Sequence, residues 1–286
     1  MRGVLVIARL VIHEVLRRRL VLALLALTLL AIGLTTWGFS RIPTLAPDGV
    51  PLPPPTARLL ASQLLILVMF MFSQVLALSA VFVASPAISG DVESGVAQAM
   101  LARPLSRWQY VLGKWLGLAV LVVAYAALAV SAELAGVFLV VDYLPPRPLE
   151  CLAFLIAEGI VLLTFGLLLS TSFSGMVGGV AALMLFGLAW LGGIVAALGA
   201  TFENEVLERV GTATKLILPT DGLWRGAVYA LEPVSVLSGA IPSGPSSLAN
   251  PFFASAPPPP AYLVWCALWL GGVLGLAVWS FSRREV

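Results

Sequence analysis

The charged residues of this chain are few enough to weigh one at a time. Asp91 and Glu93 open a polar stretch, Ser85 to Gly117, that continues through Gly95, Arg103-Pro104-Leu105-Ser106-Arg107 and Gly113-Lys114. A Gly-Lys pair invites a phosphate-loop reading, in which glycine-rich backbone amides cradle phosphate and the lysine reaches it. That motif requires Gly five residues before the pair and Ser or Thr after the lysine. Trp108 and Trp115 stand at those positions. No phosphate cradle is expected, and the chain is not expected to be an enzyme. Lys114 is instead expected to mark the boundary of an apolar span, its stem buried and its ammonium at the membrane interface.

Two acids, Glu133 and Glu158, lie inside apolar runs. A carboxylate in hydrocarbon is costly, so it must face protein or water or be protonated. Glu158 lies nine residues into its run, about 13 Å deep at 1.5 Å per residue; Glu133 lies nearer the far end of its own. Either acid could line a translocation path, or be a structural acid bonded to Gln63, Gln74 or a hydroxyl on a neighbouring span. The single histidine, His13, and the isolated Cys151 and Cys266 give no ligand spacing for a metal, and no disulfide is expected.

The composition says what must position these groups. Of 286 residues, 60% are hydrophobic and 10% charged, and mean hydropathy is +1.04. Soluble domains carry about 25% charged residues, so the chain reads as an integral membrane protein. Six runs are long enough for transmembrane helices: 20–40, 59–84, 114–141, 149–170, 176–200 and 261–281. Residues 1–19 form an amphipathic segment with Arg2, Arg9, His13 and Arg17 on one face, suited to the membrane interface. No cleavable leader is evident. The segment 201–260 is expected to lie outside the cytoplasm, with short amphipathic helices in 203–231 broken at Pro219, interfacial or re-entrant, then a Pro/Ser/Gly-rich stretch. Small-residue patterns at Gly175–Gly179 and Gly271–Gly275 allow close helix approach.

Orientation follows from basic residues. With both termini inside, the inner segments hold Arg2, Arg9, Arg17, Arg18, Arg19, Arg103, Arg107, Lys114, Arg283 and Arg284, against six basic residues outside, as the positive-inside rule requires. The net charge of +2 argues for no nucleic-acid partner.

The polar stretch resembles the cytoplasmic loop of type-two ABC exporter permeases. Their pattern is an acidic residue near a Glu-x-x-x-Gly-like step of variable spacing, then Leu-Leu-Ala-x-Pro-[Ile/Leu]-Ser-Arg, then a Gly-Lys opening the third span. Matching residues here are Glu93, Gly95, Leu101, Ala102, Pro104, Leu105, Ser106, Arg107, Gly113 and Lys114. The resemblance extends over the chain, treated as one transmembrane domain, and is nearest to single-subunit bacterial permeases that include the nitrous-oxide-reductase maturation permease. It implies a multi-pass protein of the bacterial cytoplasmic membrane that works with a second copy or a related permease. Two separate ABC ATPase subunits would carry ATP and Mg²⁺, with no cofactor on this chain. Residues 85–113 would form a coupling loop: a docking helix over 91–100, with Asp91 and Glu93 at its start, Pro104 as its stop, and Arg103 and Arg107 offering charge to the ATPase. The competing classes are an ion-coupled secondary transporter using Glu158 and a lipid-modifying membrane enzyme. No internal repeat supports the first, and a lone histidine speaks against the second.

Overall fold

In hydrocarbon every backbone donor and acceptor must be satisfied within the chain, which leaves helices as the solution for these apolar runs. A computed structural model of the chain describes residues 2–17, 19–44, 52–102, 105–237, 250 and 252–284. Among the described residues all regular elements are helical. Six stretches are long and apolar enough to cross a bilayer: Val21–Thr44, Pro54–Glu93, Arg107–Val141, Pro148–Ser172, Gly175–Thr201 and Pro260–Arg283. The chain is an all-α integral membrane protein.

In chain order, α1 (Arg2–Leu16) precedes the first spanning helix, α2 (Arg19–Ser40). The second span, α3 (Pro54–Ala84), continues through a bend into α4 (Pro86–Glu93), and a short α5 (Val96–Leu101) follows. The third, fourth and fifth spans are α6 (Arg107–Val141), α7 (Pro148–Ser172) and α8 (Gly175–Thr201). Three shorter helices, α9 (Glu205–Ile217), α10 (Asp221–Leu231) and α11 (Val234–Leu237), lead to the last span, α12 (Pro260–Arg283). The 35 residues of α6 rise about 52 Å, well beyond a hydrocarbon core of about 30 Å. The helix starts at Arg107 rather than Lys114, so its first two turns belong to the polar end of the bundle.

The centre of the bundle is α7, which packs against α3, α4, α6, α8, α10 and α12. It buries Leu155, Val161, Leu162, Leu163 and Leu167. By contrast α2 leans mainly on α6, and α12 on α7 and α6. Close approaches are made by glycine, as expected where packing rather than water exclusion drives helix association. A Cβ at Gly113 would fall 2.6 Å from Ile7 Cβ, and one at Gly117 would fall 2.7 Å from the Ala8 carbonyl oxygen. These two glycines form the seat for α1 on α6, and the glycine of Gly113-Lys114 is a packing residue. Ile7, Ala8, Val11 and Val15 of α1 face inward, Arg9, His13 and Arg17 face solvent, and Leu5, Val6 and Leu10 are exposed apolar residues suited to lipid.

At the opposite end, α9 folds back along α8. A Cβ at Gly211 would collide with backbone atoms of Ala196 and Gly192, and one at Gly199 would lie 2.5 Å from the Glu208 nitrogen. The chain reverses at 218–220, around Pro219, and α10 runs against α7, α3 and α8. The last carbonyls of α9 are met by α12: the Trp265 indole donates to Leu216 O (3.1 Å) and the Trp269 indole to Ile217 O (2.8 Å). Those acceptors would otherwise be orphaned at a helix end.

Candidate functional site

The polar stretch between the second and third spans folds into an elbow. Pro86 supplies no N–H and bends α3 into α4. The Ser170 hydroxyl of α7 accepts from the backbone N–H groups of Ile88 and Ser89, both at 3.0 Å. A side chain on a neighbouring span therefore caps the start of α4. Gly175, at the start of α8, is in turn packed on Pro86, where a Cβ would lie 3.1 Å from Pro86 Cα.

The docking helix expected over 91–100 is two helices. The break is at Gly95, with φ +77°, a left-handed conformation that glycine adopts without steric cost. Asp91 lies in the last turn of α4 and does not start a helix. Beyond the break Ala97 is buried, while Glu93, Ser94, Val96, Gln98, Ala99 and Ala102 are exposed. Val96 is 44% exposed, so among the described residues the tip is a small face with one acid, Glu93, at its rim. Arg103 and Pro104 lie outside the described residues.

The remaining charged groups of the stretch turn inward. Lys114 is 5% exposed, and its Nζ lies 2.6 Å from Asp91 Oδ2. The Tyr110 hydroxyl donates to the same carboxylate oxygen. Tyr110 stacks on Phe281 of α12 with ring centroids 5.3 Å apart. Lys114 thus does not reach out to the interface; it meets an acid from α4. Arg107 likewise turns toward the bundle. Its guanidinium donates to the carbonyls of Phe281 and Ser282, each at 3.1 Å, and to that of Arg284. A cation on the carbonyls that end α12 satisfies orphan acceptors and complements the helix dipole. Arg284 closes the ring by donating to Thr171 O of α7 at 2.8 Å. Ser106 precedes α6, where its N–H donates to Gln109 Oε1 at 3.3 Å, half of a capping box. The elbow is tied to α6, α7, α8 and α12.

Both intramembrane acids are buried and bonded to hydroxyls. Ser73 of α3 donates to Glu158 Oε2 at 2.8 Å, and Thr35 of α2 donates to Glu133 Oε2 at 2.8 Å. Four polar residues that the sequence did not single out lie on α9 and α10 or at their ends. Asp221 is buried, with Arg225 Nε at 3.1 Å and Lys215 Nζ at 3.4 Å. Arg225 also donates to Gly193 O at 3.2 Å. Burial lowers the Lys215 ammonium below its usual value, and Asp221 opposes that shift. Only the i, i+4 spacing of Asp221 and Arg225 was visible in advance.

A family model for ABC-2 family transporter proteins matches residues 6–286. The chain belongs to that family. It is a membrane permease component of an ABC transporter, and the elbow is the loop on which the motif resemblance rested. No curated protein matches the permease sequence.

Glu232, the fourth of these residues, ends α10 and is fully buried. Neither carboxylate oxygen has a well-formed hydrogen bond among the described residues. Burial pushes its carboxyl up from 4.5 to about 7, with Gln63 pulling the other way. Between those values the folded permease holds a proton that the unfolded chain releases, so this group's contribution to stability falls as pH rises and then levels off. Glu232→Gln is expected to raise the unfolding temperature at pH 8 and leave it nearly unchanged at pH 4.5. Thermal unfolding of both proteins at the two pH values checks this.

Proposed function

We propose that the permease is the membrane half of an exporter whose energy is supplied by two separate ABC ATPase subunits. These would bind ATP and Mg²⁺ on the cytoplasmic face and dock on the α4–α5 elbow. The observation that carries this reading is the elbow's construction. Its exposed tip is small, whereas its base is held by the Asp91–Lys114–Tyr110 contacts, by Ser170 and by Gly175. Such a rigid lever passes a push at the tip to α6 and α7 without absorbing it, as a two-state coupling between sites requires. Glu93, Gly95 and Ser106 shape the tip and its exit, and Arg103 would offer charge to the ATPase. Asp91, Arg107 and Lys114 act from within.

In this reading both termini are cytoplasmic, the membrane is the bacterial cytoplasmic membrane, and the permease pairs with a second copy or a related one. Cargo moves outward, and Glu133 and Glu158 would line its path once α2 and α3 part from α6 and α7. The closer likeness to the nitrous-oxide-reductase maturation permease bears on cargo alone. Co-expression with the ABC ATPases of the same cell tests the reading: the tagged permease should bring one of them down. Absence of the ATPase from the purified protein, or transport that persists without ATP, would overturn it, and the latter would favour an ion-coupled transporter.

A further inference from the structure

One feature of the bundle is unrelated to the elbow. Because α2 packs on α6 and leaves α3 apart, an apolar cleft of about 240 Å³ opens between α2, α3 and α6 at the α1 end of the bundle. Its walls include Leu24, Leu76, Val83, Leu121 and Leu128, and its floor is Leu163 of the central helix α7. Two polar side chains stand in the wall: Tyr125, already bonded to Thr28 at 2.8 Å, and the Ser79 hydroxyl, which by itself is a single partner. Water needs two to four such partners and would not fill the space. Left empty, the lining would forfeit its dispersion contacts. A cavity of about 150 Å³ already accepts a benzene-sized apolar guest.

Length and charge narrow the guest. On α6 the lining runs from Leu118 to Leu128, about 15 Å of helix, which is the depth of one leaflet of a core about 30 Å thick. At the shallow end the lining includes Leu16 and Val21. The adjacent Arg17 and Arg19 are exposed and form no ion pair with another described residue. Basic residues at this level attract anionic headgroups. We propose that the cleft between α2, α3 and α6 holds an acyl chain of an anionic membrane phospholipid, with its headgroup on Arg17 and Arg19. The lipid fills the gap between α2 and α3 as a structural ligand, whatever the cargo.

Native mass spectrometry of the delipidated, detergent-purified permease tests this, with phosphatidylglycerol and phosphatidylcholine added in equal amounts. The wild type should retain phosphatidylglycerol in preference, by about fivefold for each arginine engaged. The double variant Arg17→Gln/Arg19→Gln should bind both lipids equally. Ala124→Trp and Leu25→Trp fill the cleft from facing walls and should each abolish retention. Val123→Trp, on α6 but outside the lining, should retain lipid like the wild type. Equal retention of the two lipids by the wild type would overturn the headgroup assignment. Undiminished retention by both filling variants, or equal loss in Val123→Trp, would overturn the cleft as the site.

Discussion

Lys114→Met is expected to leave ATPase capture intact while transport by the complex falls at least tenfold. The substitution leaves the Asp91 carboxylate nearly enclosed with only Tyr110 as a partner. Removing one member of a fully buried pair costs about 3–5 kcal/mol, mostly as the penalty of the abandoned charge. Asp91 keeps some access to solvent, its side chain being 17% exposed, so a loss of about 2–4 kcal/mol is the better expectation. The double variant Asp91→Asn/Lys114→Met removes the stranded charge and should regain much of that stability. It should not regain transport, because the Tyr110 hydroxyl alone is left to hold α4 to α6 where an ion pair did so before. A double-mutant cycle on unfolding, run beside ATP turnover and transport, separates these outcomes. Recovery of transport in the neutral pair would mean that the contact matters only for folding.

Gly211→Val is the second large effect. The added side chain would meet backbone atoms of α8 at Ala196 and Gly192, which cannot yield by a rotamer change. Overpacking that flexible side chains relieve costs about 1–3 kcal/mol, and a backbone clash should exceed that range. The variant should lose the α9–α10 hairpin from its seat and give little folded protein by size-exclusion fluorescence. Gly271→Ala is the contrast, since a Cβ there meets nothing within 4 Å. It should leave the folded protomer intact or slightly stabilised, because Ala favours helix over Gly by about 1 kcal/mol. If Gly271→Ala lowers the dimer fraction at unchanged protomer stability, α12 lies in the interface between copies.

The contrast between these glycines shows what was legible in the sequence. The spans could be read because each must bring about 20 apolar residues to the bilayer, and this signal survives ignorance of every neighbour. The expected docking helix ran through Gly95, over 91–100, although Ser-Gly inside a short helical stretch is itself a signal for a break. The pairing of Asp91 with Lys114 was not legible. They are on different helices, and no periodicity links them. The result was a reading of Asp91 as the start of a helix, of Lys114 as an ammonium at the membrane interface and of Arg107 as charge offered to a partner. Small-residue spacing pointed to Gly175, which packs on Pro86, and to Gly271–Gly275, which touch nothing. It passed over Gly192, Gly199 and Gly211, which let α9 approach α8 closely, because spacing along one helix carries no information about its partner. Lys215 and Asp221 were likewise hidden, being brought together only when the chain reverses around Pro219.

The account stands on the elbow being where the ATPase pushes. Cys151 and Cys266 are both buried, so single cysteines can be placed on a quiet background at Glu93, Gln98 and Ala99 on the tip. Glu205 and Arg209, both exposed at the far end of the bundle, serve as controls. In the co-purified complex, a short bifunctional cross-linker should join the ATPase to cysteine at each of the three tip positions and at neither control. A complex that assembles normally but cross-links at position 205 or 209, or at none of the tip positions, would contradict the account.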